Sequence, residues 1–250
     1  MKQLISFDIK ADFGFLKKPD TNEPMYLTFN MIHKPFVLGV LGAVLGKKGF
    51  QENEILPDYY QDLKDELIAI KPLSDSNVNF NKTVIKYNNG VGYASHETGG
   101  NLIISEQTLV NPSYRIYLLT DNEELLSRIE NHEAVYLPYL GKNDFSLWWE
   151  NVRKYDYHSF KPEGSYKISS LFAKKMLLKE GKEEKEEMPA YEMNFSGGEF
   201  MYFERLPVAY DEELFQYVYK PFVYTTFKMQ KHYEIDNLYQ LNNGEVIQFF

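Results

Sequence analysis

The sequence predicts an α+β fold of ferredoxin-like type, and three observations support this fold class. The first half of the chain shows strand and helix patterns in the order strand–helix–strand–helix–strand. A glycine-rich hairpin is inserted among these elements. The second half consists mainly of aromatic, β-rich segments. This combination fits helices packed against an antiparallel sheet better than a doubly wound parallel sheet.

The first elements are a strand and a buried helix. Gln3–Ile9 is rich in β-forming residues and predicts a strand, and Tyr26–Phe29 predicts a short extended segment. A helix is predicted over Lys34–Leu45, because Pro35 suits its first turn and Gly46 suits its end. The helix is apolar nearly all round, so we expect it to be buried.

Two glycines inside this helix, Gly39 and Gly42, lower its helix propensity. That cost predicts the close approach of a neighbouring element to the helix backbone. The glycines do not form a dinucleotide-binding fingerprint, because they lie within the helix rather than in a turn before it. The segment also lacks the Gly-Lys-Ser/Thr ending of a phosphate-binding P-loop.

The middle of the chain predicts a second helix and a long hairpin. Asp58–Ile70 has an amphipathic helical pattern that ends before Pro72. Asn79–Tyr87 alternates as a strand, and Leu102–Ile104 resumes the extended pattern. The glycine-rich residues between them, Asn88–Asn101, predict a wide hairpin end rather than a tight turn.

Strand and helix signals continue after the hairpin. Tyr114–Leu119 predicts a buried strand, and Asp121 is the predicted N-cap of a helix over Glu123–Glu130. Ala134–Leu140 predicts another strand. Weaker strand patterns follow in the second half, at Tyr166–Phe172, Tyr191–Phe195, Phe200–Leu206, Phe222–Phe227 and Val246–Phe250.

Size and composition indicate a globular protein. With 250 residues, 44% of them apolar, the chain can bury a core as one large domain or two small ones. The absence of cysteine excludes disulfides and thiolate metal sites. The first residues lack the pattern of a secretory signal, and the longest apolar run, Pro35–Leu45, is too short to span a bilayer. We therefore expect a soluble cytoplasmic protein.

The net charge of −9 argues against a generic nucleic-acid binder, since counterion release favours a basic surface. The charge is unevenly distributed, however. Lysines outnumber carboxylates in the first fifty residues, whereas carboxylates concentrate in Glu52–Glu66, Asp121–Glu133 and Glu180–Glu187. Such a chain can carry one basic face. The last of these acidic runs is more typical of a solvated loop than of paired catalytic carboxylates.

The sequence contains few candidates for catalysis. No two of the five histidines have metal-ligand spacing on one element, so neither a metal site nor a cofactor is predicted. Lys231 and His232, beside Tyr233, could cleave RNA by deprotonating a 2′-hydroxyl and stabilising the phosphate. Adjacent residues of a strand point to opposite faces, so an ordinary strand end explains these residues better.

The predicted hairpin is a candidate nucleic-acid surface. Lys82 and Lys86 are four residues apart on one strand and therefore share a face. Tyr87 and Tyr93 offer flat rings for base stacking, and the glycines allow the backbone to approach phosphates. A hairpin whose tyrosines pack on its own sheet explains the same residues equally well, so both interpretations stay open.

Ordered blocks of the sequence resemble the CRISPR-associated Cas-five family. These blocks are FDIKADFGFLKKPDTN, LTFNMIHKPFVLGVLGAVLG, NKTVIKYNNGVGYASHETGGNL, NPSYRIYLL and PYLGK, with FERLPVAYD matching more loosely. The chain is most similar to the type I-B branch, whose members are RAMP-class subunits of the Cascade surveillance complex. The resemblance depends on several blocks in order rather than on one short motif.

The resemblance implies a modified RRM-like RAMP domain over residues 1–145 and a β-rich C-terminal region over residues 146–250 packed on it. An extended hairpin thumb is expected at about Asn79–Gln107. Such subunits hold the 5′ handle of the crRNA and cap one end of the backbone filament in antiviral defence. The implied partners are crRNA, the backbone subunit of the seventh Cas family and the large subunit of the eighth, with target DNA reached only through the complex.

The residues expected to contact RNA are the cations of these blocks and a few polar or aromatic neighbours. They are Lys17, Lys18, Asn30, His33, Lys34, Lys47, Lys82, Lys86, Tyr87, Tyr93 and Arg115.

We expect no catalysis, although one branch of the family, type I-C, is a guide-processing endoribonuclease that uses tyrosine, lysine and histidine. This chain departs from that branch, because His33–Lys34 reverses the Lys–His order and Lys231–His232 lies close to the C-terminus. Ser196–Gly198 is also a poor substitute for the glycine-rich loop of RAMP proteins. Metal-independent cleavage of pre-crRNA, as in that branch, is the alternative function.

Overall fold

The fold is described from a computed structural model, which covers residues 2–19, 25–73, 80–88, 103–173, 176–178, 185–187, 198–229 and 235–250. The helices in these ranges are α1 (Lys34–Leu45), α2 (Asp58–Leu63) and α3 (Glu123–Glu130). The strands of the first half are β1 (Gln3–Ala11), β2 (Phe13–Gly14), β3 (Met25–Tyr26), β4 (Leu67–Pro72), β5 (Lys82–Asn88), β6 (Ile103–Val110) and β7 (Ser113–Thr120). Those of the second half are β8 (Leu147–Tyr155), β9 (Tyr157–Ser159), β10 (Phe172–Ala173), β11 (Met176–Leu178), β12 (Lys185–Glu187), β13 (Met201–Tyr210), β14 (Tyr217–Thr225), β15 (Leu238–Leu241) and β16 (Val246–Gln248).

A four-stranded antiparallel sheet in the order β4-β7-β1-β8 forms the centre of the molecule. Side chains of β1 alternate between two cores. Ile5, Phe7 and Ile9 pack with the apolar residues of α1 and α3 on one face. Leu4 packs on the other face with residues of the C-terminal strands, including Ile247. The sheet therefore lies between a helical layer and a second β layer, and the fold is α+β, as predicted.

Helix α1 has the predicted bounds and the predicted close contact. Gly46 ends the helix in the left-handed conformation, with φ 73°, which suits a residue without a side chain. The backbone of Gly42 faces α2, where a Cβ added to this glycine would lie 2.4 Å from the Cβ of Tyr59. Gly42 therefore allows α1 and α2 to approach more closely than alanine would.

The prediction of one helix over Asp58–Ile70 is wrong after Leu63. Helix α2 ends there, and residues 67–72 form β4, which pairs with β7 along its whole length. Ile68, Ala69 and Ile70 are fully buried, because this strand is covered on both faces. Long-range sheet pairing has overridden the local helical pattern.

Two further predictions, for the N-cap of α3 and for a strand at residues 134–140, are wrong. The N-cap of α3 is Asn122 rather than Asp121, because the Asn122 Oδ1 accepts a hydrogen bond of 3.0 Å from the Leu125 N–H. Residues 134–140 do not form a strand. The N–H groups of Val135 and Tyr136 instead donate to the carbonyls of Val44 and Ala43, which lie in the last turn of α1.

The second half is β-rich, as predicted, but its strands differ in position. Phe200–Leu206, Phe222–Phe227 and Val246–Phe250 overlap β13, β14 and β16. Within 166–172, however, only Phe172 belongs to a strand, with an isolated bridge from Tyr166 to Met229. The acidic run predicted as a loop contributes β12, which pairs with β11. Residues 191–195 lie outside the described part.

Strand β8, at one edge of the central sheet, was not predicted. It begins beyond residue 145 and pairs with β1 in the main sheet, and Phe222 packs in the same core as Phe7. The division into regions 1–145 and 146–250 stays a prediction. None of the helices in the described ranges is long and apolar enough to cross a bilayer.

The hairpin is confirmed where it is described. Strands β5 and β6 pair in antiparallel fashion from Lys82 opposite Leu109 to Asn88 opposite Ile103. Strand β6 also pairs with β2 and β3, which ties the base of the hairpin to the Lys17–Lys18 segment between those strands. Residue 79 and residues 89–102, which include Tyr93 and all of the predicted tip except Asn88, lie outside the described residues.

Candidate nucleic-acid interface

The hairpin separates its predicted site residues onto two faces. Side chains alternate along β5, so Lys82 and Lys86 share one face, about 13 Å apart along the strand. Tyr87 lies on the opposite face. The predicted lysines and tyrosine therefore do not form one surface for a single nucleotide.

Tyr87 packs on a buried polar cluster of its own sheet. Its hydroxyl donates to the Glu106 Oε2 at 3.3 Å, and the Lys142 Nζ lies 2.9 Å from the same oxygen. The Lys142 ammonium is also 4.1 Å from the centre of the Tyr87 ring. Burial disfavours the charge on Lys142, but the hydrogen bonds to Glu106 and Tyr87 outweigh burial and raise the pKa of this lysine. The geometry favours the packing interpretation for Tyr87 over base stacking.

Lysines from two separate elements meet on the other side of the hairpin. We name Lys18, Lys82 and Lys86 the lysine surface. Desolvation lowers the pKa of Lys82, Glu204 opposes that change, and the charge of Lys18 lowers the pKa further. The mutual repulsion indicates that Lys18 and Lys82 are close in space, although they are 64 positions apart in the sequence.

The outer member of the lysine surface, Lys86, is exposed and forms no ion pair with the described residues. Lys17 is also exposed, but it points to the opposite face from its neighbour Lys18, with its Nζ 4.1 Å from the centre of the Tyr26 ring. Lys18 is half-buried, with its Nζ 3.3 Å from Glu204 and 5.0 Å from the centre of the Phe29 ring. Among the described residues, the surface thus combines three cations with the adjacent carboxylate of Glu204.

Glu204 anchors the loop before α1 beside this surface. Its carboxylate accepts hydrogen bonds from the backbone N–H groups of Asn30, at 3.2 Å, and Met31, at 3.1 Å. The Asn30 side chain donates to the Tyr202 hydroxyl at 2.5 Å, and the Tyr114 hydroxyl donates to the Asn30 carbonyl. Asn30 is therefore held by three residues of two strands, β13 and β7. Its Oδ1 is buried without a hydrogen-bond partner among the described residues.

Sequence reasoning missed Glu204 and Tyr202. Both lie on β13, more than 170 residues from Asn30. The only sequence signal was the loosely matching block FERLPVAYD, which includes Glu204.

Three of the cations predicted to contact RNA bind other groups of the fold. The Arg115 guanidinium binds both oxygens of buried Asp8, at 2.7 and 2.9 Å, and the hydrogen bond to Asp8 raises the pKa of Arg115. The Lys34 Nζ donates to the Phe250 carbonyl at 3.2 Å, and burial lowers the pKa of this lysine. Lys47 pairs with Asp62 at 2.6 Å. These three cations already have partners within the chain.

His33 is also buried, with only 2% of its surface exposed. It lies among the rings of Phe29, Phe36 and Tyr217, with centroid distances of 5.4, 5.7 and 5.4 Å. Burial lowers the pKa of His33 to about 3, and its Nδ1 has no hydrogen-bond partner among the described residues. A neutral, enclosed imidazole of this kind is unsuited to proton transfer with RNA.

The other predicted cleavage residues, Lys231, His232 and Tyr233, lie outside the described residues. In the described part of the chain, no group of three or more acidic or histidine side chains is placed to hold a metal ion.

Comparisons with known proteins support the fold. No protein-family profile matches the sequence, and a search of curated proteins gives no significant match. Among solved structures, a chain of a "CRISPR RNA-guided surveillance complex" superposes with a TM-score of 0.51 and 10% identity, covering 91% of this chain and 92% of that chain. A CRISPR protein from Archaeoglobus fulgidus superposes with a TM-score of 0.50 and 14% identity, covering 98% and 97%. At such low identity, the likeness shows that this chain shares their fold.

Proposed function

We propose that this chain is a noncatalytic RNA-binding subunit of a cytoplasmic CRISPR RNA-guided complex, of the Cas-five family and its type I-B branch. In this role it holds the 5′ handle of the crRNA and caps the backbone filament. The shared fold and the ordered sequence blocks support the proposal.

The lysine surface is the observation that carries the RNA-binding proposal. Lys82 and Lys86 share a face of the hairpin, and Lys18 comes from the segment between β2 and β3. The coupling of Lys18 to Lys82 supports a local group of three cations on a chain whose net charge is −9. A phosphate backbone relieves the repulsion between Lys18 and Lys82, because each phosphate supplies a negative charge at that point.

We propose that other surfaces contact protein subunits of the complex. The expected neighbours are the backbone subunit of the seventh Cas family and the large subunit of the eighth. Carboxylates outside the lysine surface would face these subunits or solvent, because a strongly negative surface repels the crRNA.

The test compares Lys82→Ala/Lys86→Ala with the wild-type chain for binding to a fluorescently labelled, repeat-derived RNA over a salt series. Each phosphate contact to single-stranded RNA contributes about 0.7 to the slope of log affinity against log salt, so two lost contacts should lower the slope by about 1.4. Affinity should fall roughly 10- to 30-fold at 0.1 M salt.

A matched control is Lys154→Ala/Lys161→Ala, which removes the same charge from β8 and the segment after β9. The control should keep the wild-type slope. Equal slopes for all three proteins would reject the lysine surface as the RNA site.

The noncatalytic assignment has its own test. The purified full chain is incubated with repeat RNA in EDTA, and the products are separated on a denaturing gel. We expect intact RNA. A discrete cut that disappears in His232→Ala would instead establish the metal-independent endoribonuclease.

A further inference from the structure

An open groove lies on the helical side of the molecule, between α1 and the segment Val135–Tyr139. We name it the aromatic groove. Its volume is about 590 Å³, within the range of clefts that bind a drug-sized ligand or a few side chains. Its lining is rich in rings, with contributions from Phe36, Phe50, Tyr59, Tyr139, Tyr210 and Tyr217.

The segment Val135–Tyr139 forms the other wall of the groove, and backbone hydrogen bonds fix its position. Val135 and Tyr136 donate to the last turn of α1 at 3.2 and 3.0 Å. Pro138 accepts from the Leu147 N–H at 3.0 Å, and the Leu140 N–H donates to Phe145 at 2.7 Å. A wall fixed in this way is preorganised, so a ligand would lose little free energy in ordering it.

The side chains on this fixed wall are apolar and face solvent. Leu137 is 72% exposed and Tyr136 is 52% exposed, and Phe50 on the facing rim is 58% exposed. Exposed apolar side chains are unremarkable singly, but a contiguous group that borders a groove is typical of a binding surface. Tyrosine and phenylalanine are also enriched at protein–protein interfaces.

The chain segments that border the groove, here called its rim, are rich in carboxylates. Segments 47–65 and 210–217, which border it, contain eight carboxylates and three lysines. One of these lysines, Lys47, lines the groove and pairs with Asp62, and Glu124 and Asp58 add to the negative potential at that point. This charge repels RNA and attracts a cationic ligand.

We propose that the aromatic groove docks a segment of a partner protein that carries apolar side chains flanked by lysine or arginine. The apolar side chains enter between α1 and Val135–Tyr139. The basic residues pair with the rim carboxylates. This site is separate from the lysine surface and does not depend on RNA binding.

The experiment selects binders from a displayed library of random 16-residue peptides, with the full wild-type chain as bait. The Kd of each enriched peptide is then measured by fluorescence anisotropy. We expect enriched peptides with a net positive charge and apolar anchors, and at least a ~10-fold weaker Kd for Leu137→Glu. The added carboxylate alone would strengthen the attraction of a basic peptide, so a loss reports the apolar contact.

Two further variants separate shape from charge. Ile103→Glu changes an equally exposed apolar residue, at 69%, on the hairpin, and should bind as wild type does. Glu52→Gln/Asp58→Asn/Glu213→Gln should weaken binding at low salt and flatten its salt dependence.

Several results would overturn the proposal. One is equal binding of the enriched peptides to wild type and Leu137→Glu, and another is a set of groove-dependent peptides without excess lysine or arginine. A single-stranded RNA that loses affinity in Leu137→Glu would assign the groove to nucleic acid. A dimer in sedimentation that this variant dissociates would assign it to a second copy of the chain.

Discussion

Arg115 and Lys34 illustrate, at the residue scale, why a cation in the sequence does not identify an RNA contact. Arg115 is a residue type that binds phosphate well, yet its guanidinium is bound by Asp8 on the neighbouring strand. Lys34 reaches the carbonyl of Phe250, 216 positions away. Such partners come from distant segments, so the sequence could predict the cations but not which of them the fold itself would use.

His33 gives a prediction about pH. Its pKa is about 3 in the folded chain and about 6.5 when unfolded, so the unfolded state takes up a proton first as the pH falls. The stability contributed by neutral His33 is complete above about pH 6.5 and declines as the pH falls towards 3. Between pH 7 and pH 5 the free energy of unfolding should drop by about 2 kcal/mol from this residue.

The measurement is urea unfolding of the wild type and His33→Phe across that pH range. Phenylalanine preserves a ring among Phe29, Phe36 and Tyr217 but cannot be protonated. Other titrating groups affect both proteins, so the difference in their pH slopes isolates His33. If the free energy of unfolding had the same pH dependence in both proteins, the His33 imidazole would be reached by water or would carry a proton in the folded chain.

At the scale of elements, predictions succeeded where the signals were local. Pro35 and Gly46 act through their own backbone conformations, and α1 has the predicted bounds. Strand β4 was missed because its partner β7 lies more than 40 residues away. Strand β8 was missed because much of it is polar and partly exposed as an edge strand. The carboxylate at the lysine surface, Glu204, was missed for the same long-range reason as β4.

The contact between α1 and α2 leads to a paired prediction. In Gly42→Ala, the new Cβ would lie 2.4 Å from the Tyr59 Cβ, so the helices must separate. The strain of such overpacking, about 1–3 kcal/mol, exceeds the gain in helix propensity of about 1 kcal/mol. We therefore expect the free energy of unfolding in urea to fall by up to about 2 kcal/mol.

Gly39→Ala is the matched control. The nearest Tyr59 atom would lie 3.8 Å from its new Cβ, an ordinary contact distance. This variant should gain up to about 1 kcal/mol from helix propensity. If both variants are stabilised, the close approach at Gly42 is not required by the packing of α2.

The basic and acidic surfaces of the molecule lie on different parts of the fold. The lysine surface lies at the hairpin, and the acidic aromatic groove lies on the helical side. The C-terminal strands cover the remaining face of the central sheet, where Ile247 and Phe249 pack on Leu4. Backbone hydrogen bonds also join the C-terminal segment to the central sheet, because Phe250 exchanges bonds of 3.3 and 3.0 Å with Ile68 on β4. The two predicted regions therefore share the central sheet.

This sharing predicts that residues 1–145 do not fold alone. The fragment lacks β8, which pairs with β1, and lacks the strands that cover Leu4, Tyr117 and Leu119. An uncovered apolar sheet face and an unpaired β1 edge favour aggregation over a cooperative fold. Urea unfolding followed by tyrosine fluorescence should show a sharp transition for the full chain and none for the fragment. Mixing the fragment with residues 146–250 should restore the transition, because the missing strands are then present. A cooperative transition in the isolated fragment would establish two independent domains divided at residue 145.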